Sequence, residues 1–483
     1  MTIDLKKPLA WKRASAEEQK MLQSLQGNIL KGHGRDETIN IFFQIDKGKA
    51  LEMRRALREL ANYHLTSADR QLRETDVFQE SGKPGSTVVA AFLSATGYAA
   101  LGAAAQAPTT EKQFFDKGMR DPGSVNEVSD TLADWKEPFT KQIDGMVLVA
   151  DNERRLVQFK RDEVVKLLEE GGATILLPEQ IGSAVKNHHN DGIEHFGYVD
   201  GRSQPLLLVE DIEREATTGG SSRWDPQFNL DSALVKDRVD DKDTTSFGSY
   251  FIFRKLEQNV RGFKRREQEL ATELKLDDKE KRELAGALVV GRFEDGSPVT
   301  LSNEAKGANP PNDFNYDNDS GSRCPVHAHI RKVNPRHADA GEREHIMPRR
   351  GIPFTDKLRA VHPSDLPGSK DLKDFTDHVE SNLPPDGVGL LFMAYNSNLT
   401  NQFVFTQKSW ANKKDFPKPG KTEPIPGADP IIGQGADTSV AQTWPFKWDD
   451  AAGGTTPLNF ANFVTMRGGE YFFAPSLTFF KNL

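Results

Sequence analysis

The chain has 483 residues, of which 63 are Lys or Arg and 71 are Asp or Glu, so its formal net charge is −8. A mildly acidic chain lacks the basic surplus that phosphate backbones attract, which argues against nucleic acid as a main partner. The one cysteine, Cys324, excludes an intramolecular disulfide framework and any site built from several thiolates of one chain.

The first thirty residues contain neither the apolar core nor the small-residue cleavage pattern of a signal peptide. No window of the chain approaches the roughly 18 consecutive apolar residues of a transmembrane helix. We therefore expect a cytoplasmic protein that is not bound to a membrane. Nothing in the sequence decides whether several copies assemble into a homo-oligomer.

Strands and helices alternate in the first half of the chain. Residues 38–45, 86–93 and 146–150 are short runs of β-branched, aromatic or other apolar residues, which is typical of buried strands. Residues 48–64 carry apolar side chains at helical spacing. A charged helix follows the third strand, and the pair Gly171-Gly172 predicts its end.

A second set of elements begins with a predicted strand at 249–260, followed by two charged helices and a strand at 387–398. The repeated strand–helix pattern predicts an α+β fold of two halves, 1–240 and 241–483, each with a mixed or antiparallel sheet and flanking helices. Three stretches are polar or rich in Pro and Gly: 213–246, 302–323 and 413–439. The first is predicted to be a linker or a long surface loop and the other two to be loops, and long loops often line a functional site.

Three short segments carry candidate chemistry: 195–205 with Asp200, 324–336 with His327 and His329, and 345–354 with two adjacent arginines. Each is weak alone. Asp-Gly is a common turn dipeptide, and adjacent arginines most often form a solvated edge. On a strand, the His-Ala-His spacing would put two imidazoles on one face, where they form a metal chelate or are merely two polar residues, whereas on a helix they would diverge by ~200° and could not share a ligand.

Taken together, these residue types match the needs of a haem that reacts with peroxide. The iron needs one protein nitrogen on one face. On the other face, a base takes a proton from the peroxide and returns it to the leaving oxygen, while a cation offsets the charge that develops. An aspartate suits the role of base in acidic solution, because its reference pKa is near ~4.

The order Gly-x-x-Asp-Gly (197–201), Ala-His-Ile-Arg-Lys (328–332) and Arg-x-Gly-Ile-Pro (349–353) resembles the dye-decolourising peroxidases. The segments at 25–30 and 467–473 also resemble that family, so the likeness spans nearly the whole chain. The length resembles the larger C/D (or V) branch, and a cyanobacterial-type member in particular. The resemblance implies two ferredoxin-like α+β domains, with the Gly-x-x-Asp-Gly loop in 1–240 and one haem b held mainly by 241–483.

The resemblance also implies a role for each matching residue. His329 matches the haem ligand, in preference to His327. Arg349 matches the cation, in preference to Arg350. The full set implied is Asp200 as the acid–base group, Arg349 as the charge stabiliser, His329 as the iron ligand, Arg336 as a partner of a haem propionate, and Leu390 and Phe392 as apolar residues above the open face.

Two features stay open in the sequence. The family's usual carboxylate partner of the ligand histidine has no clear match, because the corresponding strand end reads Asn396-Ser397-Asn398. Bulky dyes cannot reach a buried haem edge, so aromatic residues near the surface would relay electrons from the dye to the haem, and Trp224 is expected to be the most exposed tryptophan.

The activity implied is the reduction of hydrogen peroxide with oxidation of anthraquinone-type dyes, phenols or similar aromatic compounds. Three alternatives remain. One is another haem function on the same fold, such as chlorite dismutation or iron release. The second is a non-haem metal site built from His327, His329 and a carboxylate. The third is a binding module without catalytic activity.

Overall fold

The computed structural model describes residues 3–240, 242–336, 340–357, 360–366, 368–417 and 425–483. The helices are α1 (Ala16–Ser24), α2 (Ala50–Tyr63), α3 (Ala68–Ser81), α4 (Ala95–Ala100), α5 (Pro122–Val128), α6 (Arg154–Glu170), α7 (Val209–Thr218), α8 (Val260–Glu273), α9 (Lys279–Val290), α10 (His329–Val333), α11 (Ala340–Arg343), α12 (Leu372–His378) and α13 (Leu477–Asn482). The strands are β1 (Glu37–Ile45), β2 (Val88–Leu93), β3 (Gly145–Asp151), β4 (Ala173–Ser183), β5 (Val185–Lys186), β6 (Gly192–Ile193), β7 (Val235–Lys236), β8 (Phe247–Gln258), β9 (Ile352–Thr355), β10 (Val388–Asn396), β11 (Gln442–Pro445), β12 (Thr455–Leu458) and β13 (Val464–Ala474).

One large sheet runs through both halves of the molecule, in the order β4-β1-β3-β2-β13-β8-β10-β9, with β7 paired to β8. Its two halves, β4-β1-β3-β2 and β13-β8-β10-β9, have the same strand order when each is counted in chain order, and the pairings between its strands are antiparallel. The predicted α+β fold, with its repeated ferredoxin-like unit, is therefore confirmed. The boundary proposed at 240/241 falls between β7 and β8 and stays a prediction.

The two halves are joined at the strand nearest the C-terminus. β13 pairs with β8 along most of its length and with β2 at Phe473. Gln26 ties this junction from the side, because its amide nitrogen donates to the carbonyls of Ala91 and Pro475 while its amide oxygen accepts from the Ala91 amide. The segment 25–30 that stands out in the sequence thus acts here as a clamp between the halves.

Most elements follow from the sequence pattern. In α2 the apolar residues at helical spacing, Met53, Leu57 and Leu60, are buried. The α6 helix stops at Glu170, directly before the predicted Gly171-Gly172. The stretch 213–246 is not simply a linker, because it contains the end of α7 and all of β7. The sequence pattern did not predict α7, because this helix has no fully buried apolar residue.

Among the described residues, no helix combines the length and the apolar character needed to cross a bilayer.

Candidate functional site

A cavity of about 310 Å³ opens on one face of the second half of the sheet. Its floor consists of alternate residues on β10, β8 and β13, which point to the same side because strand side chains alternate. The register places Leu390, Leu256 and Met466 in one row across the three strands. Phe392 lies one step further along β10. The floor is therefore a mainly apolar platform.

The remaining walls come from α10, from the segment around Ile431 and Ile432, and from the loop that carries Asp200. These elements lie far apart in the sequence and meet only in the fold. The cavity is lined by all six residues singled out by the sequence: Asp200, His329, Arg336, Arg349, Leu390 and Phe392.

His329 lies at the N-terminal end of α10, so the arrangement of both histidines on one face, which a strand would give, does not occur. Pro325 starts a turn, in which the Ala328 amide donates to the Pro325 carbonyl, and the helix begins directly after it. His327 is consequently directed elsewhere, edge-on against Trp444 with ring centroids 4.5 Å apart. Within the described part of the chain, no three or more His, Cys, Asp or Glu side chains are grouped as a metal site would require.

The imidazole of His329 is held by a carboxylate that the sequence analysis missed. Nδ1 of His329 lies 2.9 Å from Oδ2 of Asp429, which is completely buried. Oδ1 of Asp429 accepts from the amides of Ile431 and Ile432. Burial alone would lower the pKa of His329, but the carboxylate outweighs it and the pKa is raised. Burial alone would raise the pKa of Asp429, but His329 and the two amides lower it.

This arrangement leaves Nε2 of His329 as the ring nitrogen available to a ligand in the cavity. A carboxylate on the far nitrogen fixes the tautomer and makes the near nitrogen a stronger donor to a metal. Asp429 lies in the Pro/Gly-rich stretch 413–439, one hundred residues beyond His329. No local spacing could have indicated the pair.

Asp200 occupies an exposed turn at the edge of the cavity. Its amide donates to the Gly192 carbonyl, and its Oδ1 accepts from the Gly201 amide at 2.6 Å. The loop before it is shaped by Glu194, whose carboxylate accepts from the amides of Phe196 and Tyr198. Asp-Gly is thus a turn, as its frequency predicts, and also presents a carboxylate to the cavity.

The two adjacent arginines have separate surroundings. Arg349 lines the cavity, and its Nη2 donates to the Arg202 carbonyl at 3.0 Å. Burial lowers its pKa, and the attraction of Asp200 opposes that shift. Arg350 lies outside this cavity and donates instead to the carbonyls of Asn28 and Ile29. The geometry therefore favours Arg349 for any role beside Asp200.

Two further guanidinium groups form a cationic end of the cavity. Arg336 and Arg292 are 5% and 4% exposed. Both donate to the Asn312 side chain and to Ser203 Oγ, and Arg336 also donates to the carbonyls of Asn312 and Phe314. All these partners are neutral. Burial lowers the pKa of Arg336 to about 9 and that of Arg292 to about 10.

Buried cations without a carboxylate are costly unless an anion joins them. The cavity therefore fits a flat apolar molecule that carries acidic groups at one edge and accepts a nitrogen ligand at its centre. A haem has all three properties.

Trp224 packs against Arg336 at the cationic end of the cavity but is only 6% exposed, because the Arg336 guanidinium lies over its ring at 4.4 Å. The expectation that Trp224 is exposed is wrong.

A second cavity of about 510 Å³ adjoins the first. It is bounded by the segment around Lys31 and by α7, whose Asp211 pairs with Lys31. The two cavities share Asp200, Gly201, Gln204, Arg349 and Gly351, whereas His329 lines only the first. Asp200 and Arg349 thus lie where the second cavity meets the first.

Comparisons with known proteins agree with this geometry. Residues 24–179 match the family model described as the DyP dimeric alpha+beta barrel domain. The chain is 42% identical over 498 residues to the multifunctional dye peroxidase DyP2 of Amycolatopsis sp., with 100% of both chains covered. It is 30% identical to Peroxidase 2 of Mycetinis scorodonius, covering 95% of this chain and 87% of that protein.

Solved structures give the same result. The structure of DyP2 from Amycolatopsis sp. matches with a TM-score of 0.90 and 41% identity over 100% of both chains. A DyP-type peroxidase of Anabaena sp. matches with a TM-score of 0.86 and 35% identity, over 100% of this chain and 99% of that one. The chain is accordingly a peroxidase, an oxidoreductase that acts on hydrogen peroxide. It belongs to the dye-decolourising peroxidase family, as its ordered segments predict.

Proposed function

We propose that the chain binds one haem b in the first cavity and uses hydrogen peroxide to oxidise phenols, anthraquinone-type dyes or similar aromatic compounds. The main support is the meeting, in one cavity, of a carboxylate-bound imidazole, an apolar floor and buried guanidinium groups without acidic partners. The sole cysteine, Cys324, is buried and precedes no c-type attachment motif, which favours a haem held without covalent bonds.

In this proposal His329 supplies Nε2 to the iron, and Asp429 orients the ring through Nδ1. Arg336, with Arg292 beside it, would neutralise a propionate. Leu390 and Phe392 would lie against the ring and exclude water, which strengthens every electrostatic interaction inside the cavity. Most of these contacts come from residues 241–483, which we propose as the half that holds the cofactor.

When bound, the haem supplies an iron centre that takes part in oxygen–oxygen cleavage and is later reduced by one-electron donors. Oδ1 of Asp200 is held by the Gly201 amide, and Oδ2 accepts no hydrogen bond from the described residues. Oδ2 would take the proton from one peroxide oxygen and deliver it to the other. The Arg349 guanidinium would offset the negative charge on the departing oxygen.

Peroxide would enter through the second cavity, because that cavity leads directly to Asp200 and Arg349. A location in the cytoplasm remains part of the proposal, in keeping with a single cysteine that is buried and free.

The test is the visible absorption spectrum of the purified protein loaded with haem, followed by peroxide-dependent oxidation of a methoxyphenol. We expect an intense band near roughly 400 nm, which a porphyrin gives, and oxidation that requires both haem and peroxide. Chlorite consumption without phenol oxidation would favour the chlorite-dismutase alternative. Failure to bind haem would overturn the proposal.

A further inference from the structure

A buried lysine joins the helix that carries His329 to the segment that carries Asp429. Lys332 is the fourth residue of α10 and has no exposed surface. Its Nζ donates to the carbonyl of Lys413 at 2.6 Å and to the carbonyl of Gly427 at 2.7 Å. No carboxylate in the described residues lies within ion-pair distance of Nζ. A buried ammonium group with only carbonyl partners is uncommon and needs a reason.

The two carbonyls belong to chain segments that are themselves bonded together. The Gly427 amide donates to the Lys414 carbonyl at 2.8 Å, and the Asp429 amide donates to the Ala411 carbonyl at 2.8 Å. Asp429 therefore lies on a small bonded platform, 411–414 with 427–429. Lys332 fixes this platform to α10.

The orientation of the Asp429 carboxylate within its own segment is set by the amides of Ile431 and Ile432. Its distance from His329 depends instead on how the platform sits against α10. Lys332 makes two of the contacts that set the position of the platform against α10. It lies only three residues after His329 in the same helix. Burial lowers the pKa of Lys332 to about 8, and the nearby Asp429 opposes that shift, so the group stays mostly protonated at neutral pH.

We propose that Lys332 is a positioning residue for the His329–Asp429 pair, acting as a tether that holds the carboxylate at hydrogen-bond distance from Nδ1. The inference rests on the proposed haem ligation by His329. A firm bond from the imidazole to a carboxylate gives the ring imidazolate character, which strengthens the iron–nitrogen bond and lowers the reduction potential of the iron. Loosening the tether weakens both effects.

The experiment compares Lys332→Met with Lys332→Gln in haem-loaded protein. Methionine fills the space without a donor, whereas the glutamine amide can still donate to a carbonyl without carrying charge. The readouts are the iron(III)/iron(II) midpoint potential and the iron–imidazole stretching frequency. We expect Lys332→Met to raise the potential and lower the frequency, in the same direction as Asp429→Asn and by less. Lys332→Gln should shift both by less again.

Two controls make the result specific. Lys255 is another buried lysine, but it pairs with Asp356 instead of the platform. Lys255→Met should leave the potential and the frequency unchanged. In the Asp429→Asn background, Lys332→Met should add no further shift, because the bond that the tether protects is already weakened.

The outcomes separate this inference from the proposed function. Wild-type protein that binds no haem, or binds it without a histidine ligand, would overturn the proposed function itself. If Asp429→Asn shifts both readouts and Lys332→Met shifts neither, the tether is wrong. Equal shifts in Lys332→Met and Lys332→Gln would assign the effect to the lost charge and would also overturn it. If Lys332→Met does not fold, Lys332→Gln takes its place. A shift of both readouts in the direction of Asp429→Asn, and by less, supports the tether, whereas wild-type readouts or an additive shift in Asp429→Asn with Lys332→Gln contradict it.

Discussion

The cavity has two sides with opposite physical character. On one side, His329 is bonded to a carboxylate that is completely buried and that accepts three hydrogen bonds. On the other side, Asp200 is exposed and lies at the junction of two cavities, and among the described residues its carboxylate accepts a hydrogen bond only from the amide of Gly201. We call these the His329 side and the Asp200 side.

The difference fits two different tasks. A group that must keep one tautomer and one charge state gains from burial and from many fixed bonds. A group that must take up and release a proton in each cycle needs access and a free oxygen. If the two sides have these separate tasks, changes on the His329 side should affect ligation of the cofactor and changes on the Asp200 side should affect the reaction with peroxide.

Removing the imidazole should abolish cofactor ligation. In His329→Ala we expect loss of the histidine-ligated ferric spectrum, because His345, the other histidine of the described cavity lining, is stacked on Phe405 and bonded to the Asn401 carbonyl. His327→Ala should keep the ligation, since His327 packs against Trp444 outside the cavity lining. Absorption and electron paramagnetic resonance spectra of the haem-loaded variants check this. A normal spectrum in His329→Ala would contradict the assignment.

Neutralising the exposed carboxylate should leave ligation intact and slow the chemistry. Asp200→Asn keeps the size of the side chain and removes the base, so the rate of reaction with peroxide should fall by ~10²–10⁴-fold. Stopped-flow absorption with haem-loaded protein measures that rate. The matched control is Asp317→Asn, which alters an exposed carboxylate outside both cavities and should react at the wild-type rate. A loss of ligation in Asp200→Asn would mean that the two sides are not independent.

The two arginines should separate function from stability. Arg349→Leu should slow the peroxide reaction by ~10²–10³-fold, because it removes a preorganised cation beside the departing oxygen. Arg350→Leu should instead lower the unfolding free energy, since it leaves the Asn28 and Ile29 carbonyls without their donors. Parallel stopped-flow and urea-unfolding measurements distinguish them. The reverse pattern would reassign the cation to Arg350.

The cationic end of the cavity should govern how tightly the cofactor is held. Arg336→Met removes a guanidinium that has only neutral partners, so haem should dissociate roughly tenfold faster, a change of about 1.4 kcal/mol. Transfer of haem to an excess of apomyoglobin gives the dissociation rate. An unchanged rate would show that Arg336 does not contact a propionate.

Buried carboxylates outside the cavity provide a contrast with Asp429. Burial raises the pKa of Glu470 to about 7, because the amides of Met119 and Tyr471 oppose the effect of burial only in part and no cation of the described residues is bonded to the carboxylate. The folded protein therefore binds this proton more tightly than the unfolded chain. The resulting stabilisation is complete below about pH 4.5 and is lost as the pH rises through about 7.

In Glu470→Gln the unfolding free energy should fall less between pH 5 and pH 7.5 than in the wild-type protein, and the difference should be at most about 2–3 kcal/mol. Urea unfolding of the cofactor-free protein at the two pH values measures the change. The exposed Glu59→Gln is the control and should keep the wild-type slope. An unchanged slope in Glu470→Gln would assign the pH dependence to other groups.

Sequence patterns predicted β1, β2, β3, β8 and β10, because buried strands are short, continuous apolar runs that leave a strong local signal, but they did not predict β4, β9 or β13 of the same sheet. They left strand and helix open at the His-Ala-His segment, where Pro325 starts a turn that leads into a helix at His329. They also placed Trp224 at the surface, since a polar stretch surrounds it and its cover, Arg336, comes from a distant segment. Every residue that the family resemblance assigned to the site lines the first cavity.

The Asp429 partner could not be predicted in the same way. A carboxylate one hundred residues from its histidine is brought near by the packing of a loop on a helix, and nothing local marks it. The same holds for Arg292, Lys332 and the second cavity. Local motifs identify the groups that do chemistry, whereas the groups that position them depend on the tertiary fold.

The decisive measurement is a crystal structure of the haem-loaded protein. We expect an iron bound by Nε2 of His329 at roughly 2.1 Å, a typical metal–imidazole distance, with Asp200 and Arg349 facing the opposite side of the ring. An iron bound by another residue, or Asp200 and Arg349 on the same face as His329, would contradict it.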